Sequence, residues 1–443
     1  MKNLSETRFI LDLGGRLGLY FLYDRRAIGS LFTITVISAL FSPFPAFAQL
    51  VGEPEMNDVA GNRPQPDYDP QGVDVSGVRI FPAIGITGNY DSNVLTRSQG
   101  GEADFSATVL PSVRIEKIRS NAVLRLNAQA GFRRYASLDR QNDNSWSVNF
   151  NTAFDLPSDL KLTTFNTWSR SSASRGTFEN NLQVGDPLRV ERLGSGLKLQ
   201  RRFNRLGVSG GFSAEKSDFD DVTLDDGTTI DQDFRDGSRI SGTLRADYAF
   251  SPRFSVVADG RFDRFDFSDP RPASNRDAKA WAATLGGRYE ISRLFHVEAG
   301  AGYRQHNFDS PALKTISGLA LNARARWYPS RLISVRFDLS QQTTTSVYDT
   351  VSAVTVTSAA LSGDYEYRRN ILLSASVTRS NESYGGTGGH SNLTTIGSSA
   401  TWSANRWMRL TGRVSYETRS NSGTTVTPVF DAFRFMTTLT FSR

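Results

Sequence analysis

The feature that most restricts this chain is a two-residue alternation sustained far longer than a globular strand needs. In the final stretch, Phe433, Phe435, Thr437, Leu439 and Phe441 fall on odd positions and Arg434, Met436, Thr438, Thr440 and Ser442 on even ones. Successive side chains of a strand point to opposite faces, so this stretch has one apolar and one mostly polar face. The same split recurs where Ala122, Leu124, Leu126, Ala128, Ala130 and Phe132 oppose Arg125, Asn127, Gln129, Arg133 and Tyr135. It returns at Leu244, Ala246 and Tyr248 against Thr243, Arg245 and Asp247, and at Leu319, Leu321, Ala323 and Ala325 against Asn322, Arg324 and Arg326. Period two holds for more than ten residues at a time, against about 5–6 in ordinary strands. In water, each apolar face would need a covering layer, and no stretch has the helical pattern to supply one. Lipid is the remaining cover, and such lengths suit a tilted membrane crossing.

Composition sharpens this. The 443 residues include no cysteine, which argues against a disulfide scaffold or a thiolate metal site. Mean hydropathy is −0.36, and no apolar run reaches the ~20 residues of a membrane helix. Residues 1–48 read as an export signal: Lys2, Arg8, Arg16, Arg25 and Arg26 precede the apolar run Ala27 to Leu40, and Ala46-Phe47-Ala48 offers a small-x-small cleavage site. Removing them leaves 46 basic against 42 acidic residues, too even a balance to point to a nucleic acid. Residues 49–77 are rich in proline and acid, with Pro54, Pro64, Pro66 and Pro70 among Glu53, Glu55, Asp58, Asp67, Asp69 and Asp74. That composition favours a free periplasmic linker over a strip tucked into the fold.

From residue 78 to 443, tight connections alternate with longer polar ones. Eight short turns and nine longer loops imply about 18 strands, an all-β, single transmembrane, antiparallel up-and-down β-barrel with both ends on the short-turn side. A soluble β-propeller shares the ~40-residue recurrence but uses shorter strands and a blade signature absent here. Short turns face the periplasm in such barrels and long loops the exterior. The loop Ser174 to Pro187 reads as too modest to fold inward as a constriction, and the longest loop is the fourth.

Polar faces of these strands carry the candidate lumen lining: Arg125, Arg133, Arg245, Asp247, Asp259, Arg261, Asp263, Arg288, Glu290, Glu298, Arg304, Arg324, Arg326, Arg336, Asp338, Arg413 and Glu417. Guanidinium forks there could contact carboxylates or sugar hydroxyls, although any hydrated barrel interior needs mixed charge to brace it. Trp168, Phe203, Phe250, Trp281, Tyr289, Phe295, Trp327, Tyr328, Tyr367, Trp402 and Trp407 sit near strand ends, as interfacial girdles do. Asp231, Asp233 and Asp236 come near a calcium-loop pattern but miss its spacing by one position, so a solvated acidic loop is expected, with no metal and no cofactor. With three histidines and no nucleophile motif, no catalytic set emerges, and the chain is not read as an enzyme.

The region Val78 to Phe441 resembles the outer-membrane β-barrel porins of polysaccharide-producing bacteria. The residues that carry this are Phe81-Pro-Ala-Ile-Gly-Ile-Thr-Gly-Asn-Tyr90-Asp91-Ser-Asn93-Val, Val109-Leu-Pro111-Ser-Val-Arg114 and the repeated Arg-rich hairpins. The terminal strand also resembles the signal read by the barrel-assembly machinery, with Phe441 as its final aromatic and Ser442-Arg443 as an overhang. The resemblance implies an outer-membrane conduit for extracellular polysaccharide, with periplasmic export partners, lying among membrane lipid and lipopolysaccharide. The alternatives are a diffusion porin for small hydrophilic solutes and a surface protein anchored by its barrel.

Overall fold

The computed structural model describes residues 59–183, 185–268, 275–346, 348 and 351–443. The proposed signal of residues 1–48 lies outside them. The described chain forms strands β1 (Val73–Val75), β2 (Val78–Asp91), β3 (Asp104–Arg119), β4 (Ala122–Tyr135), β5 (Asp143–Leu156), β6 (Leu160–Ser172), β7 (Arg189–Phe203) and β8 (Leu206–Phe219). The two-residue strands β9 (Val222–Thr223) and β10 (Thr229–Ile230) decorate the next loop. There follow β11 (Gly237–Ser251), β12 (Phe254–Phe267), β13 (Ala278–Ser292), β14 (Phe295–Phe308), β15 (Ile316–Ser330) and β16 (Ile333–Thr345). The chain ends with β17 (Ala353–Arg368), β18 (Ile371–Tyr384), β19 (His390–Asn405), β20 (Met408–Ser422) and β21 (Phe430–Ser442).

Eighteen of these, β2 to β8 and β11 to β21, pair antiparallel with their neighbours. The cylinder closes where β2 meets β21, Thr87 opposite Thr438 and Ile86 opposite Leu439. Closure leaves no open edge, which is what lipid demands of a spanning sheet. The eight short turns and nine long connections fall where the sequence places them.

The short turns have a local chemistry that repeats. At three of them the last strand residue is a serine whose Oγ accepts a backbone N–H two residues on: Ser251 from Arg253, Ser292 from Leu294 and Ser330 from Leu332. Asn405 Oδ1 does the same for Trp407 and Met408. Such side-chain bonds stand in for the ladder at the point where it must reverse. A register shift accompanies each of these reversals, as between Glu290 and Ser292.

Two faces result. Phe433, Phe435, Trp281, Leu285, Tyr289, Leu244 and Trp327 are exposed and share the outward parity. Trp281 and Tyr289 lie eight residues apart on β13, roughly 26 Å along a strand. A tilt of about 40° shortens this to about 20 Å of membrane normal, close to the height of an outer-membrane apolar band. Tyr328 takes the parity opposite to Trp327 and so leaves the girdle that the sequence assigned it to.

The wall departs from regularity in two places. The β3–β4 ladder skips Leu110 and Pro111, because proline has no N–H to give. The β15–β16 ladder stops at Asn322 opposite Ser340, leaving Ile316 to Leu321 paired only with β14. Arg304 spans that gap, donating to Leu319 O at 3.1 Å and to Thr343 Oγ1.

Candidate functional site: the polar face and its two closures

Side chains of β11 and β14 meet on the polar face although two strands separate them: Arg245 donates to Glu298 at 2.7 Å. Only the concave side of a cylinder lets such side chains converge, so the polar face is the interior. Glu298 is the hub of this wall, with Arg288 at 3.0 Å and Arg324 at 3.7 Å. Arg245 also grips Asp259 at 3.0 Å. Asp263 accepts from Ser241 and ion-pairs with Arg239 and Arg261. Arg326 pairs with Asp338 at 2.8 Å, and Arg336 with Asp364 at 2.6 Å. Asp247 faces Arg202 at 3.9 Å. Elsewhere, Arg125 donates to Glu116 at 2.7 Å, and Glu417 receives Arg434.

Three of the seventeen sequence candidates have no side-chain partner among the described residues: Arg133, Glu290 and Arg413. Arg133 stands opposite Asp143, and Glu290 opposite His296. Arg413 stands between Ser399 and Met436. Sequence reasoning supplied the arginines but missed the partners Glu116, Asp364 and Arg434. Their signal was available: each carries the polar parity of its strand.

The exterior mouth differs from expectation. The loop between β6 and β7 folds inward and crosses it. The backbone N–H of Asn181 donates to Tyr348 Oη at 3.3 Å, and its Nδ2 donates to Val426 O at 2.9 Å. Gln183 donates to Thr96 O at 3.1 Å, and Arg235 to Glu179 O. These partners lie in loops all round the rim, Tyr348 being nearly opposite the loop's own root. Phe178 packs with Val351, Val354 and Tyr384. Length alone concealed this, because the loop is held by its internal knot as much as by reach. Arg175 donates to Gln141 Oε1 at 2.9 Å, Leu182 O at 2.7 Å and Gly185 O at 2.7 Å. Burial pushes its pKa down to about 10, so it stays charged at neutral pH. Leu188, Ala173 and Val222 form a small core beneath.

Neighbouring loops are fastened in the same way. Arg276 donates to Ser346 O, Val351 O and Tyr348 O at 2.8, 2.9 and 2.6 Å. Just below, at the strand ends, Arg419 of β20, with a fully buried side chain, donates to both oxygens of Glu382 on β18 at 2.7 and 3.1 Å. Tyr384 Oη completes that cluster by donating to Glu382 at 2.6 Å.

The other mouth carries the second correction. The described part of the acidic linker, expected to be free, lies on the barrel from Val59 onward. Ala60 is fully buried, and its carbonyl accepts from Ser334 Oγ at 3.1 Å. Arg63 pairs with Glu366 at 3.5 Å and donates to Arg331 O at 2.8 Å. Arg406 donates to Pro66 O at 2.9 Å, and Asp69 reaches Arg409 at 4.0 Å. Val73–Val75 then pairs with the start of β2. The linker's one basic residue and its carboxylates find complements on the rim, which composition does not reveal.

Asp221, Asp231 and Asp233 bring carboxylate oxygens within 4.8 Å of one another on the exposed outer loop. Asp236, the expected companion, instead accepts the Phe219 N–H at 2.7 Å. Asp221 and Asp231 are likewise used by the backbone N–H groups of Gln232 and Asp233.

No curated protein matches the chain. Among solved structures, it is similar to a ferric enterobactin receptor mutant of Pseudomonas aeruginosa, with a TM-score of 0.46, 9% identity and coverage of 82% of this chain and 80% of that one. It is similar also to OpdK of Pseudomonas aeruginosa with vanillate (TM-score 0.44, 12% identity, coverage 82% and 99%). A third is the FrpB iron transporter of Neisseria meningitidis (TM-score 0.43, 11% identity, coverage 80% and 63%). The family described as "Putative beta-barrel porin 2" matches residues 65–442. That match takes in the whole barrel and the rim-bound strip from residue 65 onward, and the chain belongs to this family of outer-membrane β-barrel porins.

Proposed function

We propose that the barrel is a channel for hydrophilic solutes whose exterior mouth is constricted by the loop between β6 and β7. The observation that carries this is the crossing of that loop above a continuous polar interior: its contacts reach Thr96, Glu179's partner Arg235, Tyr348 and Val426. A barrel serving only as an anchor has no need of a polar interior that reaches a tethered constriction. The seventeen candidate residues line the route in this reading, and no chemical step is assigned to any of them.

Export of an extracellular polysaccharide is the second reading, supported by the family resemblance and by the guanidinium-rich interior. Pairing limits which polymer suits it. Arg245, Arg288 and Arg324 share Glu298, and Arg239 and Arg261 share Asp263. An internally compensated wall favours a neutral polymer over an acidic one. Lipopolysaccharide around the outer girdle, the assembly machinery at β21 and periplasmic export partners belong to the same reading.

The test is conductance of the mature chain in a planar bilayer beside a variant in which residues 177–183 are replaced by a short Gly-Ser link. The expected result is a conductance that rises severalfold once the crossing segment is gone. Equal conductance in the two proteins removes the loop from the function. Silence from both, in folded protein, moves the function to an anchor. For cargo, loss of surface polysaccharide on gene deletion with unchanged small-solute uptake selects export; the reverse selects a porin.

A further inference from the structure

We infer that Arg413 is the centre of an anion-binding site on the interior wall, suited to the carboxylate of a sugar acid or a similar small hydrophilic anion. This rests on the channel reading and names a solute class for it.

Arg413 is exposed, and its guanidinium has no ion pair or hydrogen bond among the described residues. Its surroundings explain why. Reading across the wall at its level, the ladder runs Asp364, Ser374, Ser399, Arg413, Met436 and Asn89. The first carboxylate in that row is three strands away, about 14 Å at the usual strand spacing, and it is already held by Arg336 and by Ser374 Oγ at 2.7 Å. Along β20 itself, Glu417 is four residues away, roughly 13 Å, and receives Arg434. Arg434 is matched by both Glu417 and Asp91.

Around the free guanidinium are hydroxyls and small side chains. Ser399 and Ser374 share its row, Thr411 and Ser415 flank it on β20, and Gly397 and Thr401 lie diagonal to it. A planar fork of donors beside hydroxyls that both donate and accept is the set a sugar carboxylate needs: the fork for the carboxylate, the hydroxyls for the ring. The same strand already holds one carboxylate of this chain. Four residues nearer the rim, Arg409 is met by Asp69 of the docked linker at 4.0 Å. The wall that binds an anion at its edge repeats the cation two pleat repeats further in, where no internal acid fills it.

The test uses the mature chain in detergent and in a planar bilayer, with sodium glucuronate as the probe and glucose as its neutral counterpart. Calorimetry in detergent should show glucuronate binding more tightly than glucose. A unit charge near contact distance in water changes occupancy by about fivefold, and Arg413→Gln should erase a preference of about that size. Arg413→Lys, which keeps the charge and loses the fork, should retain part of it. In the bilayer, glucuronate should block current in the parent protein and block Arg413→Gln about fivefold less. Undiminished preference for glucuronate in Arg413→Gln, or none in the parent, overturns the site. Absence of current from the parent with binding intact would overturn the channel reading and leave the site standing.

Discussion

Two stretches of the interior wall, a charged one and a hydroxyl-rich one, are unlike. From β11 to β17 it is a mesh of arginines and carboxylates in which Glu298, Asp263, Asp338 and Asp364 each hold one or more guanidinium groups. From β18 through β21 to β2 it is chiefly serine and threonine, with contacts such as Thr87 to Thr438 at 2.8 Å and Thr401 to Thr411 at 3.2 Å. The charged half ties strands together beyond nearest neighbours, as Arg245 does from β11 to β14. In the hydroxyl half one side-chain contact skips a strand, from Arg419 on β20 to Glu382 on β18 near the outer rim; the other contacts, Arg434 with Asp91 and Glu417 among them, join neighbouring strands. One half is braced across its middle by charged side chains, and the other rests there mainly on its backbone ladder. It is the second that has capacity to receive a solute.

The sharpest way to break this contrast lies at the outer end of the hydroxyl half, where water is excluded. Arg419 and Glu382 have side-chain exposures of 0% and 5%, so truncating one partner strands a buried charge. Arg419→Ala should destabilise the barrel by about 3–5 kcal/mol, read as a lower urea midpoint in lipid vesicles. A smaller loss would mean that the hydroxyl half depends on its ladder even where it is dry.

Next comes the hub of the charged half. Glu298→Gln leaves Arg245, Arg288 and Arg324 facing one another with one acid fewer. The three arginines keep side-chain exposures of 12%, 15% and 26%, against 0% for Arg419, so the cost should be below that of the outer pair, about 1–3 kcal/mol. Double-mutant cycles with Arg245→Gln should show coupling, because the two side chains are in direct contact. Additivity between them would reduce the mesh to isolated surface pairs.

Much of this was legible in the sequence, and the reason is that lipid enforces a simple code. Where one face must be apolar, parity alone assigns Arg245, Arg324 and Arg413 to the interior, and turn residues such as Ser251, Ser292 and Ser330 mark the reversals. What parity cannot give is convergence across strands. The grip of Arg245 on Glu298 depends on curvature, and the reach of Asn181 to Tyr348 depends on a loop knotted by Arg175. The docking of Ala60 and Arg63 was hidden for a related reason: composition describes how a segment behaves alone, whereas Ser334 and Glu366 become its partners only when the barrel brings β16 and β17 to the rim.

The smallest effect is the most discriminating for the hydroxyl half. Ser399 sits beside Arg413 in the ladder, and its side chain has no partner among the described residues. If that half is a solvated surface resting on its backbone, Ser399→Ala removes a hydroxyl that was bonded to water and should change stability by no more than about 0.5 kcal/mol. Its effect should appear instead in solute affinity, as a weaker glucuronate block with unchanged urea midpoint. A destabilisation matching that of Glu298→Gln would show that the serines form a bonded network of their own. The two halves would then differ in the kind of bracing they use, and the space beside Arg413 would already be filled by the wall.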